Sequence, residues 1–211
     1  MTNDYLSQAA LPREVTLITR DVVTSTSTEL IALAKNGAAE YTLLTARTQY
    51  AGHGQHGRPF FSPSGGVYFS LLLRPALHPD IAETVTLTAA VAVCEVCEAA
   101  FGVTARIKPV NDVLVNNRKI CGILAEAFDG PDGFFVVLGI GVNLTQPRGG
   151  FPEHLPNAGA VTDLPPDSLS DERLLEFLAA VVTQFLALYR NDVNIVRREY
   201  AARVENMPYK Y

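Results

Sequence analysis

"ARIKPVNDVLVNNRKICGILAEAF", residues 105–128, decides the fold class. Its apolar residues are β-branched or alternate with polar ones. Asn116-Asn117 in its middle is turn chemistry, because asparagine tolerates the positive φ that a tight hairpin demands. The segment therefore reads as two strands around that turn. "GFFVVLGIGVNL" (133–144) follows as a buried strand with no helix between. Upstream, "VTLITRDVV" (15–23), "YTLLTARTQ" (41–49) and "GVYFSLLLRP" (66–75) are further strands, the last closed by Pro75. Helices are fewer. "STSTELIALAKNGAAEY" opens on hydroxyl residues suited to an N-cap, spaces Leu30, Ile31, Leu33 and Ala34 helically, and stops at Gly37. Residues 80–102 read as a long, largely buried helix ending at Gly102. "SDERLLEFLAAVVTQFLALYR" (170–190) is amphipathic, with Ser170 as cap and acids in the first turn. Strands that follow one another directly predict an α+β fold, with a mixed β-sheet and helices packed mainly on one face. No internal repeat or interior linker appears, so 1–211 reads as one domain whose tail, "RVENMPYKY", carries no further element.

The 211 residues are 48% hydrophobic and 18% charged, enough to bury a sizeable core. A net charge of −5, without a run of Lys or Arg, argues against a nucleic-acid partner. Cys94, Cys97 and Cys121 are an odd set without framework spacing, which points to a reducing, cytoplasmic setting. "CEVC" (94–97) falls inside a predicted helix, where packing is the expected role, as it is for Cys121. The N-terminus lacks the pattern of a signal peptide, and no apolar stretch reads as long enough to cross a bilayer, so no membrane partner is expected.

Three stretches carry chemistry. In "AGHGQHGRPFFSPSGG" (51–66), Gly52, Gly54 and Gly57 leave backbone N–H groups to face an anion, and Arg58 adds a fixed cation. The loop lacks the GK[ST] of a P-loop, and Arg-Pro after Gly57 cannot open the helix of a dinucleotide fingerprint. Taken alone it is equally a surface hairpin. Lys108 sits in a strand-end turn beside Asn111 and Asp112, where an ammonium can hold a phosphate or polarise a carbonyl; the plainer reading is a solvated lysine. In "LGIGVNL", Gly139 and Gly141 allow another group to approach the strand, and Asn143 offers the donor and acceptor that an adenine edge requires. His53 and His56 lack a nearby cysteine or acid and read as loop histidines, not metal ligands.

In this order, "STS" (25–27), Gln49, "GHGQHGR" (52–58), "FFSPSGGVYFSLLLRP", "KPVND" (108–112), "KICGILAE" and "GIGVN" resemble the catalytic domain of biotin–protein ligases, relatives of the lipoate ligases. The likeness runs from about Val22 to the end. It implies a two-step reaction: biotin and ATP give biotinyl-5′-AMP and pyrophosphate, and a lysine of a biotin carboxyl carrier protein then takes the acyl group. Lys108 and Arg58 would be catalytic. Ser25, Thr26, Ser27, Gln49, Gly52, His53, Gly54, Gln55, Lys108 and Gly122 would bind biotin, with Ser25, Thr26 and Gln49 at its ureido ring and residues 53–55 along the acyl and phosphate region. Arg58, Asn111, Asp112 and Asn143 would bind ATP, Asn143 facing adenine and Asn111 or Asp112 placing phosphate or Mg²⁺. A homodimer is compatible with the resemblance. No DNA-binding domain is expected before the first motif, nor the family's small C-terminal β-domain after the last.

The sequence departs from the family where His53 and Gln55 replace arginines of Gly-Arg-Gly-Arg-x-Gly-Arg, Ser27 replaces asparagine, and Pro109 replaces tryptophan. Arginine stays charged and binds phosphate through two donors, which glutamine and neutral histidine do not. A protonated His53 standing in for arginine would make adenylation rise as pH falls. A lipoate-type ligase and a non-catalytic binding protein are the competing readings.

Overall fold

The structure, a computed structural model, describes residues 11–76 and 80–204. Its elements are β1 (Thr16–Val23), α1 (Thr26–Lys35), β2 (Thr42–Gln49), β3 (Gly66–Leu73), α2 (Ile81–Phe101), β4 (Ala105–Lys108), β5 (Asp112–Val115), β6 (Arg118–Gly130), β7 (Gly133–Asn143), α3 (Asp171–Tyr189) and α4 (Val193–Arg203). The strands form one seven-stranded sheet in the order β1-β2-β3-β7-β6-β5-β4. β1 and β2 are parallel, joined through α1, and the remaining pairs are antiparallel. The predicted α+β class and mixed sheet are what the chain adopts.

Each strand sends alternate residues to opposite faces. On β7, Val136, Leu138, Ile140 and Val142 join the large core that includes α2 and α3, whereas Phe135 and Val137 join a smaller cluster with Leu30 and Ala34 of α1. Helices α2, α3 and α4 thus cover one face. On the other, α1 covers one part and leaves Gly139 and Gly141 of β7 to line a cleft.

Local chemistry fixes the ends. Ser25 caps α1, its Oγ accepting from the Thr28 N–H at 3.4 Å, and Gly37, at φ 86°, lies just past the helix end. Asn116 and Asn117 both take positive φ, at 51° and 61°, closing the β5–β6 hairpin as their residue types predict.

Three expectations need correction. Residues 105–115 are two strands, β4 and β5, because the chain turns at Pro109-Val110-Asn111. Helix α4 was not legible: its sequence, VNIVRREYAAR, buries only Val196, so it has no wide apolar stripe. It docks instead through Arg203, which pairs with Glu98 and Glu95 of α2 at 3.5 and 3.7 Å and is braced by Glu199 of its own helix at 2.6 Å. Finally, α2 is by length and composition apolar enough to cross a bilayer; 67% of that apolar window is buried inside the protein, where it serves as the core helix. The tail from residue 205 onward, and the first ten residues, lie outside the described residues.

Candidate active site

The cleft on the α1 face is lined by three groups of residues. At one end stand Ser25, Thr26 and Ser27 of the α1 N-terminus with Gln49 at the end of β2. At the other are Asn111, Asp112 and Lys119. Between them run Gly122 and Leu124 of β6 and Gly139 and Gly141 of β7, and over them folds the loop of His53, Gly54, Gln55, Arg58, Pro59 and Phe60.

The first end is neutral and rich in hydrogen bonds. Gln49 Oε1 accepts from the Thr26 N–H at 2.8 Å and from Thr26 Oγ1 at 3.2 Å, while its Nε2 donates to Ser62 Oγ at 2.9 Å. Ser70 Oγ, fully buried on β3, shares hydrogen bonds with Thr26 Oγ1 at 2.9 Å and Ser27 Oγ at 3.0 Å. These hydroxyl and amide groups orient one another, so a ligand meets fixed donors and acceptors. Sequence reasoning missed Ser70 and Ser62. A lone serine inside the apolar run GVYFSLLL was the available signal for Ser70.

The floor is glycine for a steric reason. A Cβ on Gly141 would stand 2.4 Å from the Phe60 ring, one on Gly122 would stand 2.9 Å from it, and one on Gly139 would stand 2.5 Å from Ser27 Oγ. Phe60 therefore lies directly on the sheet, edge-on to Tyr68 with ring centroids 6.4 Å apart. Phe60 opens the quoted FFSPSGG motif, but no site role was read for it.

The loop is a closed hairpin. His53 bridges Pro59, the Gly54 N–H donates to the Arg58 carbonyl at 2.8 Å, and the Gly57 N–H donates to the Gly54 carbonyl at 3.2 Å. The amides of Gly54 and Gly57, expected to face an anion, are thus spent inside the loop. Gly52 is at the loop's root rather than in the lining, where a Cβ would fall 2.9 Å from Gln49 Nε2, Phe60 O and Ser62 Oγ. His53 Nε2 is 3.6 Å from Glu126 Oε2, a buried oxygen without another partner among the described residues. The contact ties the loop to the sheet.

At the second end, Asn111 is bound to Ile123 twice, its Nδ2 donating to the Ile123 carbonyl at 2.7 Å and its carbonyl accepting the Ile123 N–H at 3.0 Å. Asp112 accepts from Lys119 Nζ at 2.6 Å. Lys108 is the cross-strand partner of Asp112 and shares its face, yet it stands on the edge strand β4, exposed and one strand outside the lining. Asn143 is also outside it: buried, with Nδ2 donating to the Gly159 carbonyl at 3.0 Å. Among the described residues no cluster of three His, Cys, Asp or Glu could hold a metal by itself.

Cys121 lies beside Gly122 but on the core side, with Cys94 and Cys97. Burial pushes all three thiols up, Cys94 to about 12. Thiolate is the reactive form, so a thiol reagent at neutral pH should titrate none of them in the native protein and all three after denaturation. Rapid native labelling of Cys121 would refute this packing role.

Chemically, the cleft suits an elongated ligand with a neutral, hydrogen-bonding head and an anionic end. Residues 20–143 match the Biotin/lipoate A/B protein ligase family. The "Bifunctional ligase/repressor BirA" of Bacillus spizizenii is 42% identical over 141 residues, 66% of this chain and 43% of that protein. The "Biotin--[acetyl-CoA-carboxylase] ligase" of Paracoccus denitrificans is 38% identical over 153 residues, 70% of this chain and 60% of that one. The chain thus spans about half the length of these relatives. The biotin protein ligase of Aquifex aeolicus, solved in complex with biotin and ATP, superposes with a TM-score of 0.73 at 25% identity, over 90% of this chain and 78% of that one. With more than half of its residues inside the family match and nearly all of its fold shared with such a structure, the chain belongs to the biotin/lipoate A/B protein ligase family.

Proposed function

We propose that the chain activates biotin with ATP and passes it to a lysine of a biotin carboxyl carrier protein. One observation carries the reading: a single glycine-floored cleft joins a neutral hydrogen-bonding end to a charged end, beneath one loop. Biotin's ureido head has two N–H donors and a carbonyl acceptor, which the Ser25–Thr26–Gln49 end complements without charge. Its valeryl chain lies along Gly139, Gly141 and Gly122, which bring its carboxylate to the Asn111–Asp112 end. There a carboxylate oxygen attacks the α-phosphorus of ATP, and the bond from that phosphorus to the bridging oxygen of pyrophosphate breaks. Two anions meet in this step, so the site must hold them in register and offset their charge. Arg58 on the loop and Lys108 on the neighbouring strand are the groups the resemblance assigns to that task. Mg²⁺ fits the donor set: it is ordinarily held by one or two carboxylates plus substrate phosphates, and Asp112 is the carboxylate that lines the cleft. In the second step the carrier's lysine amine attacks the acyl carbon and AMP leaves.

The lipoate-type reading is weaker on the same evidence. Lipoate's dithiolane ring has no hydrogen-bond donors, so it would leave the Ser-Thr-Gln end unsatisfied. A site built around hydrogen bonds rejects a ligand lacking them by a factor on the order of 10⁴. Calorimetry with biotin and with lipoate, followed by ATP and a pyrophosphate assay, tests the proposal. Biotin binding with pyrophosphate release is expected. Biotin binding with no pyrophosphate would mark a non-catalytic binder, and a preference for lipoate would overturn the substrate.

A further inference from the structure

We propose that Ser70 is a specificity-determining residue of the cleft's neutral end: it takes the hydroxyl proton of Ser27 and so fixes that oxygen as an acceptor towards the ligand's head. The inference rests on the biotin reading above and adds to it a residue that acts through another, without touching the ligand. Ser70 lies beneath the lining, fully buried in the apolar run of β3, where a hydroxyl is costly unless it is hydrogen-bonded.

The number of available protons sets the direction of every bond around it. A hydroxyl has one hydrogen to give, and a carbonyl oxygen has none. Ser62 Oγ donates to the Phe60 carbonyl at 3.0 Å, so it accepts from Gln49 Nε2. Gln49 Oε1 then faces Thr26 and accepts both its N–H and, at 3.2 Å, its Oγ1 hydrogen. That commits the Thr26 hydroxyl, so Ser70 is the donor in the bond between Ser70 and Thr26. Ser70 has now given its own hydrogen, so Ser27 is the donor in the bond between Ser27 and Ser70. The chain runs one way, from Ser27 through Ser70, Thr26, Gln49 and Ser62 to the Phe60 carbonyl. Thr26, Ser27, Ser62 and Ser70 are all buried, which keeps bulk water from reversing it.

Ser27 heads this chain. Its hydrogen points back to Ser70, and its lone pairs remain for the cleft, which it lines. It stands over the floor: a Cβ on Gly139, the cross-strand neighbour of Ser70, would fall 2.5 Å from Ser27 Oγ. Thr26 is held as an acceptor by Gln49, so Ser70 decides the polarity of Ser27 alone. A head that brings an N–H to Ser27 gains a hydrogen bond. A head that brings an oxygen sets lone pair against lone pair and leaves both unpaired in a buried place. The family's asparagine at this position would offer a donor as well as an acceptor, whereas Ser27, its proton engaged, offers only its oxygen. The restriction therefore belongs to this chain.

The test is calorimetry with biotin and with its two cyclic-carbamate analogues, each of which has one ureido N–H replaced by a ring oxygen. The wild-type chain should bind at least one analogue about a hundredfold or more weakly than biotin. Ser70→Ala frees the Ser27 hydrogen to meet that ring oxygen. The gap should then narrow at least about tenfold, while biotin itself weakens by no more than about tenfold. Ser70→Thr keeps the hydroxyl and should keep the wild-type gap, a pattern that a packing role would not produce. Should Ser70→Ala be too unstable, Ser27→Ala removes the acceptor itself and should narrow the same gap. An unchanged gap in whichever of these alanine variants is measured overturns the proposal, as does equal narrowing in Ser70→Thr or a wild-type chain that does not distinguish biotin from either analogue. A wild-type chain that binds no biotin overturns the substrate reading and this inference with it. Biotin binding without pyrophosphate release overturns the ligase reading alone, and Ser70 still stands or falls on the gap.

Discussion

Gly141→Val should reduce adenylate formation by at least about a hundredfold, some 2.7 kcal/mol of transition-state stabilisation, while the sheet stays folded. Gly141 pairs with Tyr68 of β3 and Gly122 of β6, in the middle of the cleft floor. Its first added carbon would already be 2.4 Å from Phe60 Cε1 and 2.8 Å from Cζ, well inside van der Waals contact. Valine adds two further methyl groups in the same layer. Phe60 must lift, and with it the loop that roofs the cleft, since Phe60's own N–H is bonded to the Gly52 carbonyl at 2.8 Å. The backbone itself can accept the change. Gly141 is not among the positive-φ glycines, and β-branched residues suit a strand. Activity should therefore fall far more than stability, as read by pyrophosphate release beside a urea melt. A variant with near-normal turnover would show that the floor is not where the ligand's chain runs.

Phe135→Ala should have the largest effect on stability, about 4 kcal/mol. Phe135 is fully buried, stacks on Phe128 with centroids 5.4 Å apart, and lies beneath the Arg74 guanidinium at 5.9 Å. Its cluster is small: among the described residues, Leu30, Ala34, Leu44, Leu72 and Val137 are buried with it. That cluster seats α1 on the sheet, and α1 carries Ser25, Thr26 and Ser27 into the site. The same truncation should consequently weaken biotin binding, although none of these cluster residues lines the cleft. Equilibrium urea unfolding measures the first effect and calorimetry the second. Loss of stability without loss of affinity would show that α1 is held by other means.

These two residues illustrate what could be read in the sequence. Gly139 and Gly141 inside an apolar strand announced a close approach, and Asn116-Asn117 announced a turn; both depend on local backbone rules. Thr26 and Gln49 followed from the order of motifs, and the structure hydrogen-bonds them directly to each other. What could not be read depends on register. A β-bulge at Ile120 reverses the facing of Lys119, and no local signal in "NNRKICGIL" distinguishes it from simple alternation. Lys108 was legible as a turn lysine, but its position one strand outside the lining is set by the sheet order, with β4 at the edge. The loop amides of Gly54 and Gly57 were legible as flexible but not as already paired. Helix α4 escaped because it docks by ion pairs, and by Tyr200 Oη donating to the Val110 carbonyl at 3.1 Å, instead of by an apolar face.

The orientation of the ligand is the account's central claim, and a crystal structure with a non-hydrolysable biotinyl-adenylate analogue measures it directly. The account predicts the bicyclic ring against Thr26 and Gln49, the acyl chain over Gly139 and Gly141, and the phosphate beside Asn111, Asp112 and Lys119. Density with the phosphate at the α1 end, or outside the loop altogether, would contradict it.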